Sequence, residues 1–214
     1  MNEGFKDLLS EQRLQSYEGH INKHYANLRL IGKITSKIAT LEIILRNKLD
    51  GVLSLKDRNW IENAKDEKII YARNKIAHHS DEPLSHHQYL SRMSLEIIIH
   101  IIKKTKTQDK IMHLNKIDFL DYDSSNINFW KKDGKKIYFK NFEKVDIVLS
   151  LLQNLRNRSY HWENIKKVRI DNGITYPRLT VKMYNSLIGI HPNKIENFLE
   201  DLIILYNEEL LDYC

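Results

Sequence analysis

Apolar residues recur along most of this chain at intervals of three and four, a spacing that is typical of amphipathic helices. The pattern predicts two long helices within residues 10–55 and a shorter helix over 66–79, which is followed by Ser80-Asp81-Glu82-Pro83. A strongly apolar helix is expected over 84–104. The buried stripe of the second long helix is expected to consist of Ile31, Ile34, Ile38, Leu41, Ile44 and Leu45.

The second half of the chain has a less uniform pattern. Residues 115–141 are polar and irregular, and Lys-Asp-Gly-Lys at 132–135 is typical of a tight turn. Helices are expected over 142–160 and 195–211, whereas the alternation over 168–183 fits either a small β-hairpin or a helix. The predicted fold class is therefore all-α, a helical bundle with at most one small β-hairpin near 168–183.

The polar stretch also divides the chain into expected domains. An N-terminal helical half covers residues 1–114, an irregular connector covers 115–141, and a C-terminal helical half covers 142–214. A single integrated domain is the alternative, because a chain of 214 residues is of a size for one large domain or two small ones.

Charge favours a polyanionic partner. The formal net charge is +6 and the isoelectric point is about 9.2. Basic residues cluster at 103–106, 131–140 and 156–169, and we expect phosphate contacts in the last cluster. The predicted RNA-binding residues from that cluster are Arg158, Lys166, Lys167 and Arg169.

Cysteine usage and hydropathy bear on the compartment. The one cysteine, Cys214, allows neither a disulfide nor a thiolate metal site within one chain. The first ten residues lack the basic-then-apolar pattern of a signal peptide, and His100 interrupts the longest apolar run. A cytoplasmic location is therefore expected.

One motif occurs twice, at two places 83 residues apart. Each copy has Arg-Asn, three further residues and then His, a combination for which composition predicts only about 0.04 chance matches. On a helix, the Asn and the His lie four residues apart and share a face. The copies are Arg73-Asn74-Lys75-Ile76-Ala77-His78 and Arg156-Asn157-Arg158-Ser159-Tyr160-His161.

Cleavage of RNA without a metal needs this combination of groups. The 2′-hydroxyl of RNA is its own nucleophile, so the protein must supply a base, an acid and positive charge for the phosphorane. Histidine suits acid or base work near neutral pH, and a guanidinium suits bidentate phosphate contacts. The sequence contains no Walker loop and no three-ligand histidine spacing, so neither a metal nor another cofactor is predicted.

The two motifs resemble the Arg-x4-His motif of the HEPN superfamily, specifically that of the Abi (abortive infection) proteins. Leu41-Glu42-Ile43-Ile44-Leu45-Arg46-Asn47 is similar to the N-terminal Abi pattern, so the resemblance extends over about residues 14–162. It implies an all-α HEPN fold and a metal-independent endoribonuclease that leaves 2′,3′-cyclic phosphate ends. It also implies a prokaryotic toxin or antiphage role, with a protein or RNA antitoxin as a partner.

Carried over by position, the resemblance implies two catalytic pairs with an orienting asparagine each. These residues are Arg73, Asn74 and His78 in the first motif, and Arg156, Asn157 and His161 in the second. Lys75 and His79 are further candidate RNA contacts beside the first motif. The motifs could form one site within a chain or sites across a homodimer, and one of them could be only structural. The alternative function is a non-catalytic HEPN-type module that binds RNA or a protein.

Overall fold

The structure is a computed structural model that describes residues 8–171 and 173–214. Helix makes up 56% of it and strand 12%, and the strands form three small antiparallel sheets of two strands each. The all-α class predicted from the sequence is therefore wrong. The chain is a helix-rich mixed α/β protein, because two further hairpins accompany the one that the pattern over 168–183 allowed.

Eight α-helices lie in the described part of the chain. They are α1 (Glu11–Gln15), α2 (Ile21–Leu53), α3 (Glu67–His78), α4 (His86–Arg92), α5 (Leu95–Lys104), α6 (Gln108–Ile111), α7 (Asn141–Tyr160) and α8 (Ile195–Ile204). Short 3-10 helices cover Phe119–Asp121, Pro192–Lys194 and Glu208–Tyr213. No helix among these described residues has the length and apolar character needed to cross a membrane.

Capping residues account for the helix boundaries that the periodicity left undefined. The Asp66 side chain accepts hydrogen bonds from the first backbone N–H groups of α3. The helix expected over 84–104 is in fact two helices, α4 and α5. Ser85 begins α4 in a capping box with Gln88, and Ser94 caps α5, so a new helix begins at Leu95 where the pattern predicted one continuous helix.

The six strands pair as three consecutive hairpins. They are β1 (Phe129–Lys132) with β2 (Lys135–Tyr138), β3 (Val168–Asp171) with β4 (Ile174–Pro177), and β5 (Leu179–Met183) with β6 (Ser186–Ile190). The first hairpin lies within the stretch 115–141, which is therefore not the irregular connector that was expected. The second is the hairpin expected near 168–183, and its turn residue Asn172 lies outside the described residues.

The residues in the β1–β2 and β5–β6 turns explain which of these two turns the sequence could predict. Asp133 and Gly134 both have positive φ, at 49° and 77°, as a two-residue type I′ turn requires. Asp-Gly is a strong signal for that turn. The β5–β6 hairpin uses Tyr184 and Asn185 in the same left-handed region, at 49° and 56°. Tyrosine is not a usual residue there, so the sequence contained no comparable signal for this hairpin.

The chain forms two compact units, each assembled from separated segments. The first comprises the described residues up to 38 with 116–139 and 150–214, and the second comprises 39–115 and 140–149. The boundary between them falls inside α2 and inside α7. The division into domains 1–114 and 142–214 stays a prediction.

Each unit has its own apolar core. In the first unit, fully buried side chains of α2, α7 and α8 make up the core: Ile31, Ile34, Ile38, Leu151, Leu152, Leu155, Phe198, Leu199 and Leu202. In the second, the buried residues include Leu41, Leu45, Leu49, Ile61, Ile98, Ile101, Val145 and Val148. Burial of each such side chain stabilises the fold by about 1.5–3 kcal/mol. The predicted stripe of α2 is confirmed except at Ile44, which is only half-buried.

Gly189 on β6 lets the second and third hairpins approach each other. A Cβ at this position would lie 2.5 Å from Cγ of Pro177 and 2.8 Å from Oγ1 of Thr180. The buried side chain of Asn126 adds to the same edge, because it accepts from the Gly189 N–H at 2.8 Å and donates to the Gly189 carbonyl at 2.7 Å. The backbone N–H and carbonyl of Gly189 thus find their hydrogen-bond partners in a side chain.

We expect Gly189→Ala to lower the free energy of unfolding by about 1–3 kcal/mol, because the added methyl group has no room beside Pro177. Urea denaturation measures the change. Gly32→Ala is the matched control, since Gly32 lies in α2 with no atom within 4 Å of a Cβ added there. In that control, the free energy of unfolding should rise by about 0.5–1 kcal/mol. Equal effects of both substitutions would contradict the close approach.

Candidate nucleic-acid interface

The second motif lies at the C-terminal end of α7, in the first unit. The helix ends in a Schellman motif: the Trp162 N–H donates to the Ser159 carbonyl at 3.0 Å and the Glu163 N–H donates to the Arg158 carbonyl at 2.9 Å. Trp162 has a φ of 55°, in the left-handed region where glycine is usual. The chain therefore turns sharply just after His161, which is left exposed at the helix end.

A buried amide of α2 holds the segment that follows this turn. The Asn27 side chain is fully buried, accepts from the Ile165 N–H at 2.9 Å and donates to the Glu163 carbonyl at 2.9 Å. It also donates to the Tyr17 hydroxyl at 3.1 Å. Burial raises the pKa of Tyr17, so this hydroxyl keeps its proton at neutral pH. The segment 161–165 is thereby fixed to α2.

His161 and Trp162 line a cavity of about 170 Å³. Three cationic side chains, Arg13, Lys167 and Arg178, share its wall, against the single carboxylate of Glu163. Arg13 donates to the Trp162 carbonyl at 2.8 Å. The cavity therefore has an excess of positive charge, which attracts an anion.

Glu163 organises two of the nearby arginines. Its carboxylate accepts from Arg158 and from Arg178, each at 2.6 Å. The hydrogen bond from Arg178 is the main influence that lowers the pKa of Glu163, so this carboxylate stays ionised at neutral pH. Arg158, which the sequence suggested as an RNA contact, is thus engaged in an ion pair.

The other residues of the second motif surround the helix end. The Arg156 guanidinium lies over the Tyr160 ring, 4.4 Å from its centroid. Its Nη1 is 3.5 Å from Oδ1 of Asn157, a weak form of the expected orienting contact. Asn157 is exposed and meets His161 through its own carbonyl, which accepts from the His161 N–H at 3.1 Å.

The first motif lies in the second unit, on α3. Arg73 is half-buried and its Nη1 donates to the backbone carbonyl of Glu62, with a longer contact of 3.5 Å to that of Ile61. Its guanidinium thus binds the segment that precedes α3. Asn74 and His78 are exposed, and the His78 ring meets that of His79 edge-on at 5.5 Å. That the two motifs form one site stays a prediction.

The remaining predicted contacts are distributed over both units. Lys75 and His79 line a cavity of about 800 Å³ in the second unit. Lys166 lines a cavity of about 460 Å³ in the first unit. Lys167 lines that cavity as well as the one beside His161, and Arg169 lies over the Tyr176 ring of the β3–β4 hairpin at 5.4 Å.

Sequence reasoning missed Arg13 and Arg178. Arg13 lies 149 residues before the carbonyl that it binds, and Arg178 lies beyond the basic cluster that overlaps the motif. Neither belongs to a motif. Only the folding of α1 and of the β-hairpins beside the end of α7 makes them neighbours of His161.

A histidine outside both motifs has a defined structural role in the second unit. His86 lies between two carboxylates, with Nε2 2.8 Å from Asp50 and Nδ1 3.2 Å from Glu62. Burial lowers the pKa of His86, but hydrogen bonds to both carboxylates outweigh it and the net pKa is raised. Among the described residues, no group of three or more acidic, histidine or cysteine side chains could hold a metal ion.

Searches against protein-family models, curated proteins and solved structures found no match to this chain. The fold and the site define a mixed α/β protein with an exposed histidine in a cationic cavity. The resemblance to HEPN proteins stays a prediction that depends on the two motifs.

We expect Asn27→Ala to lower the free energy of unfolding by about 1–3 kcal/mol, since it leaves the Ile165 N–H and the Glu163 carbonyl without their buried partner. Chemical denaturation tests this. Asn22→Ala, at an exposed position of the same helix, is the control and should change stability by less than about 0.5 kcal/mol. A loss no larger than that of the control would show that Asn27 does not anchor the segment.

We expect His86 to make stability depend on pH. Its folded pKa is raised, so the protonated ring stabilises the fold fully below the unfolded pKa of about 6.5, and this contribution is lost as pH rises through the folded pKa. His86→Gln should therefore destabilise the protein more at about pH 6 than at about pH 8.5 in urea denaturation. His87→Gln, at an exposed neighbour, is the matched control and should change stability by less than about 0.5 kcal/mol. If His86→Gln lowered stability equally at both pH values, the ion pairs of His86 would not contribute to stability.

Proposed function

We propose that this protein binds RNA beside the end of α7 and cleaves it without a metal, leaving 2′,3′-cyclic phosphate ends. The observation that carries the proposal is the exposed His161 on the wall of a cavity shared with Arg13, Lys167 and Arg178. A titratable base next to several cations is the combination that this reaction needs.

The roles follow from the reaction. The His161 imidazole takes the proton of the 2′-hydroxyl, whose oxygen forms a bond to phosphorus while the bond from phosphorus to the 5′-oxygen breaks. The Lys167 ammonium gives a proton to the leaving 5′-oxygen and regains one from the protonated His161 through solvent. The Arg13 guanidinium stabilises the extra negative charge on the phosphorane.

Arg156 and Asn157 have supporting roles in this proposal. The contact with the Tyr160 ring holds the Arg156 guanidinium beside the helix end, where it can bind a phosphate oxygen of the same strand. Asn157 limits the positions of that guanidinium. Of the three motif residues, Arg156 thus binds the phosphate, Asn157 positions Arg156, and His161 takes the proton.

The first motif is structural in this proposal. The bonds from Arg73 to backbone carbonyls attach α3 to the preceding segment, which is a sufficient reason for a half-buried arginine there. The resemblance to Abi proteins supports the further proposal that the cleavage serves as a prokaryotic toxin or antiphage activity, held in check by an antitoxin.

A non-catalytic RNA-binding module is the second candidate, and one observation favours it. His161 is the one histidine among the described residues that line its cavity, whereas acid–base cleavage of RNA usually engages two such groups. A second copy of the chain that contributes its own histidine would remove this difficulty, and a homodimer is consistent with the proposal.

We expect the purified protein to cleave unpaired RNA in EDTA, and His161→Ala to reduce the rate by at least about 100-fold because the base is lost. His78→Ala is the matched control and should stay within about threefold of the wild-type rate. Electrophoresis of labelled RNA, with chemical identification of the ends, gives both results.

The other outcomes separate the alternatives. Equal losses in both histidine variants would mean that the motifs act together and that the first is catalytic as well. Cleavage that persists unchanged in His161→Ala would end the proposal. Tight binding of RNA with no cleavage by the wild-type protein would establish the binding module.

A further inference from the structure

We propose that the β3–β4 and β5–β6 hairpins form a binding groove for unpaired nucleotides that flank the linkage held at His161. We call it the hairpin groove and define it by Lys167–Arg169, Tyr176–Arg178, Thr180, Lys182 and Leu187. The inference rests on the proposed function in one respect, namely that RNA is the ligand. It adds that the ligand is single-stranded and that the protein contacts it beyond the reacting phosphate.

The groove has a regular construction. It is a concavity of about 580 Å³ whose wall includes three cross-strand pairs. On β3 and β4 they are Val168 with Pro177 and Arg169 with Tyr176, and on β5 and β6 the pair is Lys182 with Leu187. The first pair is apolar, and each of the other two places one cation beside one apolar or aromatic side chain.

The hairpin groove is continuous with the cavity at His161. Lys167 and Arg178 line both concavities, and the Arg178 N–H donates to the Lys167 carbonyl at 3.0 Å. A strand whose reacting phosphate lies at His161, with Lys167 at its leaving oxygen, can therefore place the next phosphates at Arg178 and along the hairpin groove. The successive phosphates of an extended strand need such a continuous row of cations.

The charge of the groove is unbalanced. Its described lining residues include four cations, Lys167, Arg169, Arg178 and Lys182, and no carboxylate. Of these, Arg178 pairs with Glu163, whereas none of the ion pairs between described side chains involves the other three. Three cations on one wall that form no ion pair with any described side chain favour a polyanion as the occupant.

The apolar surface of the groove distinguishes it from a merely cationic patch. Val168 and Leu187 are each 39% exposed, a large fraction for aliphatic side chains on paired strands. Tyr176 presents an aromatic ring, with the Arg169 guanidinium over it at 5.4 Å. Aromatic and apolar surfaces between cations provide stacking for unpaired bases, as in proteins that bind single strands.

Duplex RNA does not fit this description. Its bases are stacked inside an A-form helix, so phosphates and 2′-hydroxyls alone would reach the protein and Tyr176 would have no base to contact. Attack by a 2′-hydroxyl also needs the nucleophile in line with the leaving oxygen, and a flexible single strand reaches that geometry more readily than a duplex. The groove and the chemistry thus favour the same ligand.

The test measures binding separately from cleavage. The probe is a fluorescent single-stranded RNA of about 12 nucleotides with 2′-O-methyl groups throughout, which lacks the nucleophile. In fluorescence anisotropy, Lys182→Glu should raise Kd at least about fivefold and reduce the slope of log Kd against log salt by about one phosphate contact. Lys135→Glu, the same change on an exposed residue of β2, is the control and should alter Kd by less than about twofold.

Tyr176 tests the stacking part of the inference. Tyr176→Leu should raise Kd for the single strand at least about fivefold, whereas Tyr176→Phe keeps the ring and should stay within about twofold. A duplex of the same sequence should bind more weakly than the single strand, with the same Kd for wild type and Tyr176→Leu. Circular dichroism and thermal denaturation of each variant establish that it is folded.

Three results would overturn the inference. They are an equal effect of Lys182→Glu and Lys135→Glu, duplex binding as tight as single-strand binding, and a mononucleotide that binds as tightly as the oligonucleotide. Cleavage of unmodified RNA gives an independent result. If the wild type cleaves RNA but the groove variants bind it normally, the inference about the hairpin groove is wrong and the proposed function stands. If the groove variants lose RNA binding but the wild type cleaves no RNA, the hairpin groove is a binding site and the ribonuclease proposal fails.

Discussion

The candidate site depends on the hydrogen bonds of one buried side-chain amide, that of Asn27. The segment after α7 has no regular secondary structure, so its backbone N–H and carbonyl groups need partners from elsewhere in the fold. One amide on α2 satisfies the Ile165 N–H and the Glu163 carbonyl together. A second amide, that of Asn164, donates to the Ser16 carbonyl at 2.6 Å. The segment that follows His161 is therefore held by polar contacts that lie outside the motif, whereas the backbone of His161 itself bonds to Asn157 within it.

The end of α7 combines local strain with accessibility. A tryptophan in the left-handed region costs about 1–2 kcal/mol relative to a glycine there, and its neighbour His161 is exposed. The surrounding structure can hold such a residue because the Arg13 guanidinium and the Schellman hydrogen bonds fix its backbone. Strained backbone next to an exposed titratable side chain is common at functional sites, and it supports the choice of the second motif over the first.

The two motifs show that one sequence pattern can have two physical meanings. The spacing of Arg, Asn and His is the same in both, yet the arginines have different surroundings. Arg73 is bound to backbone carbonyls, whereas Arg156 lies over an aromatic ring at the helix end. An arginine has five N–H donors and no acceptor, so a nearby carbonyl group is enough to give it a structural role. Spacing alone does not distinguish the two situations.

Local interactions explain what the sequence by itself determined. The stripe of α2, the helix α7 and the Asp133-Gly134 turn could be predicted because periodicity and turn chemistry depend on near neighbours in the chain. The break between α4 and α5 and the Tyr184-Asn185 turn could not, since a cap and an unusual left-handed residue outweighed the pattern. His161 and Lys167 were recognisable from their motif and its basic flank. Only the tertiary structure added Arg13, Arg178 and Lys182, because these cations come from segments that are remote in sequence and share a surface only after α1 and the hairpins have folded.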